Sequence, residues 1–311
     1  MQRHCASIGT SNDKRPGFWT VGAYHLPIDS GPAVKVQCAV VEEDVLSIDI
    51  EGVGSYLLMW TPTEALGAPI GYTRADGVLA DADCPEALAL AAGFCFTEGL
   101  ISGLDDIATL AFCPNKPGVV RVQLVDPSRV VARRRNVVVM SSCGVCGSRE
   151  AIDNNSLDLS QVSDTLRVER SHLGRLMTAM RGRQELYEQT GGTHAAAVFG
   201  PDGRVFAIAE DLGRHNALDK VIGRCLLQRQ DLASCGVLLT SRLSFEMIVK
   251  AARAKFQLVS AVSAPTSLAI EIANRCGITL CGFVREDRAT IFTHPNRVDF
   301  SYHGIEIAGS A

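Results

Sequence analysis

Two cysteines, Cys143 and Cys146, stand three residues apart in SSCGVCG (141–147), and each is followed by a glycine, Gly144 and Gly147. Glycine has no side chain and reaches positive φ at no steric cost, so a thiol on such backbone is little covered. A C-x-x-C pair can hold zinc, cycle as a redox couple, serve a zinc deaminase, or carry a transferable sulfur atom. A structural zinc site needs four ligands, and no second C-x-x-C exists. The histidines, His4, His25, His172, His194, His215, His294 and His303, are scattered. A deaminase needs an H-x-E ahead of its cysteine pair. Here His194 comes after the pair and is followed by Ala195 and Ala196. A thioredoxin-like pair would open a helix in a βαβ unit, whereas this one is glycine-rich on both sides. A sulfur relay needs only an accessible thiolate on a movable loop. Chemistry alone leaves relay and redox both open.

The elements that must position this loop follow from the pattern around it. Asn136 to Met140 (NVVVM) reads as a buried strand leading into it. Further upstream, VLSIDIEG and YLLMW (Tyr56–Trp60) read as strands, and Pro85–Thr97 as an Ala/Leu-rich helix stopped at Gly99. VVRVQLVD (119–126) alternates as a half-buried strand. Residues 61–83, rich in Pro, Gly and Asp, read as a long surface loop, and residues 1 to about 30 as a loose arm. Arg133, Arg134 and Arg135 read either as a solvated edge or as an anion contact beside the cysteine loop.

Downstream, Ser171–Gln189 carries Leu173, Leu176, Met177, Met180 and Leu186 at helical spacing, with Gly191 and Gly192 as its stop. THAAAVF and RVFAIAED flank Pro201-Asp202-Gly203 as a hairpin. Strands at 236–240, 257–263 and 278–284 then alternate with helices at 216–228, 244–254 and 266–275, and a last strand covers 289–293. That rhythm predicts βαβ units and a sheet with parallel members. The expected fold class is α/β (α+β): a β-rich domain over 31–140, a mobile cysteine loop and linker over 141–160, and a three-layer α/β domain with a mixed sheet over 161–311. The joints EDLGRHN (210–216), TSRLS (240–244) and SAPTS (263–267) would gather at the carboxyl edge of the sheet. Each opens a helix, whose free N–H groups favour anions, and Arg214, His215 and Arg242 add positive charge or donors there.

The chain has 311 residues, 47% hydrophobic and 21% charged, with a formal net charge of -4. It is long enough for two domains with ample cores and gives no electrostatic reason to expect nucleic acid. No run approaches the roughly 20 apolar residues of a membrane span, and the polar N-terminus lacks a signal-peptide core, so a cytoplasmic protein is expected. Of its 11 cysteines, all but Cys5 in the arm and the C-x-x-C pair sit singly in mostly apolar surroundings. They read as small core residues.

Six blocks, SSCGVCG, FTEGLISGLDDI (96–107), GGTHAAAVF (191–199), EDLGRHNALDKVIG (210–223), SRLSFEMIVKAARA (241–254) and SAPTSLAIEIANRCGITLCGFVR (263–285), together closely resemble the formate dehydrogenase accessory sulfurtransferase family, in family order over roughly residues 40 to 300. The resemblance implies a sulfur carrier that takes persulfide sulfur from a cysteine desulfurase and passes it to Mo-bis(molybdopterin guanine dinucleotide) for the formate dehydrogenase apoenzyme. It implies that Cys143 carries the persulfide with Cys146 as its helper. It places guanine-dinucleotide cofactor contacts on Phe283, Val284, Arg285, Glu286, Asp287 and Arg288. It further implies a second domain like cytidine deaminase without the zinc, and a homodimer. Two departures stand out: 61–83 is long for the family, and no glycine separates Ser241 from Arg242. A cofactor chaperone that transfers no sulfur, and a thiol–disulfide redox protein, are the alternatives.

Overall fold

The computed structural model describes residues 13–63, 71–75, 84–130, 138–139 and 159–300. Cys143, Cys146 and Arg133–Arg135 lie outside the described residues.

Alternation builds the first half. In β4 (Asp44–Ile50), Leu46, Ile48 and Ile50 are buried, while Ser47 and Asp49 turn outward. In β5 (Gly54–Trp60) the buried set is Tyr56, Leu58 and Trp60. These strands join β6 (Gly71–Thr73), β7 (Ile107–Cys113), β8 (Lys116–Leu124) and β9 (Val138–Val139) in a six-stranded sheet of order β6-β7-β8-β4-β5-β9. Its apolar face packs on α1 (Glu86–Thr97), which is buried along nearly its whole length. A helix apolar all round needs cover on both sides, and α1 finds the second cover in the other half of the chain.

That half is a mixed sheet between helices. The hairpin β11 (His194–Phe199) and β12 (Val205–Asp211) turns at Gly203, whose φ is 70°. Beside it run the parallel strands β13 (Gly236–Leu239), β14 (Leu258–Ala261) and β15 (Thr279–Gly282), then antiparallel β16 (Thr290–Thr293), in the order β12-β11-β13-β14-β15-β16. The three parallel strands are buried throughout, as strands covered on both faces must be. Helices α4 (Arg214–Leu227), α5 (Phe245–Arg253) and α6 (Ser267–Cys276) cover one face. Helix α2 (Arg170–Arg181) lays Leu173, Leu176, Met177 and Met180 on the other. The mixed α/β architecture expected from the strand–helix rhythm is the one observed.

The two halves meet where α1 crosses α4. A Cβ at Gly93 would stand 1.8 Å from the Asp219 carbonyl oxygen, and one at Gly223 would stand 1.8 Å from that of Ala89. Backbone touches backbone there, and any side chain would force the helices apart.

Three local expectations need correction. The segment read as a loose arm contains β2 (Phe18–His25), which pairs along its full length with β3 (Val34–Val41) and at one end with β1 (Asp13–Arg15). At eight residues each the strands are not short, but β2 (FWTVGAYH) shows no alternation of buried and exposed positions, and Gly and Pro flank the pair. The stretch 61–83 is not all surface loop, since β6 within it puts Tyr72 fully in the core. The single helix read over 171–189 breaks after Arg181, and α3 (Glu185–Thr190) resumes before Gly191 caps it in the left-handed conformation at φ 66°. Leu186 still lies buried as expected.

Candidate functional site at the carboxyl edge of the mixed sheet

Strand β11 is antiparallel to both β12 and β13, so β12 runs with β13, β14 and β15. All four therefore end at one edge, and His194, which starts β11 opposite Asp211, lies there too. The gathering of joints expected from the sequence is observed. Backbone bonds knit them: Leu243 N–H donates to Ala264 O (3.0 Å), Thr266 N–H to Leu243 O (2.9 Å) and Phe283 N–H to Ser263 O (3.2 Å). From β12 to β15 the order spans four interstrand steps, or about 19 Å at the usual spacing.

The three helix starts differ. Thr266 caps α6, accepting from Ala269 N–H at 3.3 Å. Neither Gly213 ahead of α4 nor Ser244 ahead of α5 makes a side-chain cap. Those two ends keep donors and a positive dipole end toward the edge.

The side chains there are predominantly cationic. Arg214, on the first turn of α4, is half-buried, and its Nε is sealed from solvent without a hydrogen-bond partner among the described residues, as is Ser244 Oγ. Burial pushes the Arg214 guanidinium below its ordinary pKa; Glu246 opposes this, while the like charge of Arg242 adds to it. Arg242 is exposed. His215 Nε2 lies 2.9 Å from Glu246 Oε2. His194 Nδ1 lies 3.4 Å from Thr240 Oγ1. Burial, then Arg214, hold the His194 pKa below the usual histidine value; Asp211 pulls against them and His215 with them. In the sequence His194 stands out only as the start of a failed deaminase motif. The available signal was positional: it opens a strand whose hairpin partner ends at Asp211, beside Arg214.

At the β15 end, residues 283–288 divide by role. Phe283 is 45% exposed and holds φ at 54°, a left-handed conformation costly for a residue with a Cβ. Its ring leans on Phe292, centroid to centroid 6.3 Å. Val284 is buried in the core. Arg285 is exposed, but its Nη1 donates to the Val262 and Val284 carbonyls at 2.7 and 2.8 Å, so its head braces the loop. Glu286 accepts from Thr178 Oγ1 at 3.1 Å, and Gly174 of α2 lets the loop approach closely. Asp287 and Arg288 are exposed, 3.9 Å apart.

The rest of the EDLGRHNALDK block faces inward. Lys220 Nζ lies 3.0 Å from both Glu86 Oε2 and Asp211 Oδ2, and donates to Thr61 O at 2.8 Å and to Glu210 O at 3.0 Å. Burial opposes its charge, but Asp211 and Glu86 outweigh burial and raise its pKa. Asp211 also accepts from Thr61 N–H, Gly213 N–H and Asn216 Nδ2. From α5, Lys250 binds Asp219 (2.8 Å), Glu98 (2.9 Å) and Thr97 Oγ1 (2.8 Å). These contacts tie α1 and β5 to α4 and α5. No local spacing announces the ties between the halves, since those partners are more than a hundred residues apart.

Eight cysteines of the described residues carry free thiols, and all but Cys38 are buried. Burial pushes Cys95 and Cys281 up to about 12 and Cys235 to about 11. Such thiols stay protonated and inert at neutral pH. Among the described residues no group of three or more His, Cys, Asp or Glu could hold a metal ion, and no helix is long and apolar enough to cross a membrane.

A mixed sheet with a cationic carboxyl edge, joined to a second sheet through buried ion pairs, defines an α/β protein of two docked halves. The model of the FdhD/NarQ family matches residues 84–299, and the chain belongs to that family. It is 34% identical over 272 residues to a sulfur carrier protein FdhD of Xanthomonas campestris pv. campestris (strain B100), covering 86% of this chain and 89% of that one. It is 36% identical over 263 residues to a protein of the same name from Thermoplasma acidophilum, covering 84% and 86%. Its fold resembles the crystal structure of a protein described as a formate dehydrogenase accessory protein from Desulfotalea psychrophila, with a TM-score of 0.67 over 91% of this chain and 100% of that one, at 22% identity.

Proposed function

We propose that this protein is a sulfur carrier, a sulfurtransferase acting in formate dehydrogenase maturation through a persulfide on Cys143, with Cys146 assisting. The reading rests on the relatives named as sulfur carriers and on the C-x-x-C at 143–146. A single observation carries the acceptor side: a half-buried guanidinium, Arg214, with a sealed and unpartnered Nε, at an edge where two helix starts lack caps. Burying a cation is costly, Glu246 offsets only part of that cost at Arg214, and a phosphate would recover more of it. The acceptor is Mo-bis(molybdopterin guanine dinucleotide), held as cargo. Its phosphates fit Arg214 and the two uncapped helix starts, and the exposed ring of Phe283 offers a base a face about 19 Å away in strand spacing. His215, held by Glu246 at 2.9 Å, stands next to Arg214 on the same turn. Arg285 shapes the 283–288 turn, and Val284 anchors it.

The donor step is an exchange. The Cys143 thiolate attacks the terminal sulfur of a cysteine desulfurase persulfide, a new S–S bond forms on Cys143, the donor's S–S bond breaks, and the desulfurase cysteine leaves as thiolate. The buried thiols with raised pKa values are unsuited to that attack, which favours the cysteine pair.

Intact-mass measurement tests this. After incubation with a cysteine desulfurase and cysteine, without reductant, the protein should gain the mass of one sulfur, and Cys143→Ala should gain none. No gain in the wild type overturns sulfur transfer and favours a cofactor chaperone.

A further inference from the structure

We propose that His194 is a proton-coupled contact of the anion site: a phosphoanhydride seated beside Arg214 and Arg242 is bound together with a proton, which the His194 imidazole takes up. The inference rests on the anion-binding reading above and adds a residue and a linked proton to it.

Geometry allows the imidazole to titrate without losing its partner. Thr240 Oγ1 accepts from Ala195 N–H at 2.9 Å, which leaves its hydroxyl hydrogen free to point elsewhere. Two acceptors stand at 3.4 Å, His194 Nδ1 and Ala195 O. With neutral His194 the hydroxyl donates to Nδ1. With protonated His194 the hydroxyl turns to Ala195 O and accepts from Nδ1–H. A hydroxyl that can donate or accept serves both states. Either way Nε2 carries a hydrogen, but only the cation adds charge to its hydrogen bond with an anion.

The charges around His194 are set to keep it neutral until an anion arrives. Facing it from β12 is Asp211, whose carboxylate is already committed to Lys220, Thr61, Gly213 and Asn216. From α4 it faces Arg214 and His215. Behind Arg214 stand Arg242 on the β13–α5 joint and Glu246 on α5. Burial and the nearby cations hold the free imidazole below the ordinary histidine range. A phosphoanhydride placed between the guanidinium groups reverses the sign of that field, and the imidazole pKa rises. By linkage, a ligand that raises a group's pKa is itself bound more tightly as pH falls.

Calorimetric titration of the full chain with GDP, at pH 7.5 in buffers of different ionisation enthalpy, measures the proton count. Comparison with His194→Gln removes protons that belong to GDP. Wild type should take up between about 0.3 and 1 proton more per GDP than the variant, and the variant should bind GDP roughly five- to tenfold more weakly. His194→Asn repeats the test with a second side chain should the glutamine variant fail to fold. Equal proton counts in wild type and variants overturn the proposal while leaving the anion site standing. Absence of binding for both GDP and inorganic pyrophosphate overturns the anion site and this proposal together.

Discussion

Helix α4 presents two kinds of charge a few residues apart. At Asp219 and Lys220 every charged head is buried and multiply partnered, against α1, β5 and α5. At Arg214, on the first turn, the guanidinium is half-buried with an unpartnered Nε and lies near another arginine. Desolvating a charge is unfavourable in both places. In the seam between the halves the cost is offset within the chain. At the sheet edge Glu246 offsets it only in part, and on the proposed reading the remainder is met by a bound anion.

The sharpest way to break this contrast is to remove the seam's cation. Lys220→Met leaves Asp211 and Glu86 buried without their counter-charge and should cost about 3–5 kcal/mol in denaturant unfolding. A loss below about 1 kcal/mol would show that the seam is not held by its ion pairs. Arg214→Gln should do the reverse: stability within about 0.5 kcal/mol of wild type, and GDP affinity lower by roughly tenfold, about 1.4 kcal/mol, in calorimetry. A large stability loss with intact GDP binding would move Arg214 from site to scaffold. The smallest effect concerns pH. The folded-state pKa of His194 is depressed, so below an unfolded value of about 6.5 the unfolded chain binds this proton more readily than the folded one. Stability should therefore fall as pH drops from about 6.5 through the folded value, and His194→Gln should lose less. Identical acid dependence of the two melting temperatures would count against the depressed imidazole.

Much of this was legible in the sequence where one period dominates. The alternation in β8, the Met/Leu stripe of α2 and the strand–helix rhythm after residue 191 each specify a face, and the structure buries those faces. The meeting of three joints at one edge followed from parallel strands alone. Illegible were the contacts that depend on the first half docking on the second: Gly93 against Gly223, Lys220 with Glu86, Lys250 with Glu98. Those pairs are more than a hundred residues apart, and no local pattern links them. His194 escaped for a related reason, since its meaning comes from neighbours on β12, β13 and α4. The β2–β3 pair is illegible because β2 lacks an alternating face and Gly and Pro flank it.

Phe283 carries a last consequence. A glycine would relax into its left-handed backbone, whereas phenylalanine holds that shape at a penalty of about 1–2 kcal/mol. Keeping the aromatic there means the loop arrives already bent, with the ring held half out of the core before any guest appears. On the proposed reading, recognition at that end of the edge needs no rearrangement of the main chain: the conformational work is done once, during folding, and is not repeated with each molecule handled.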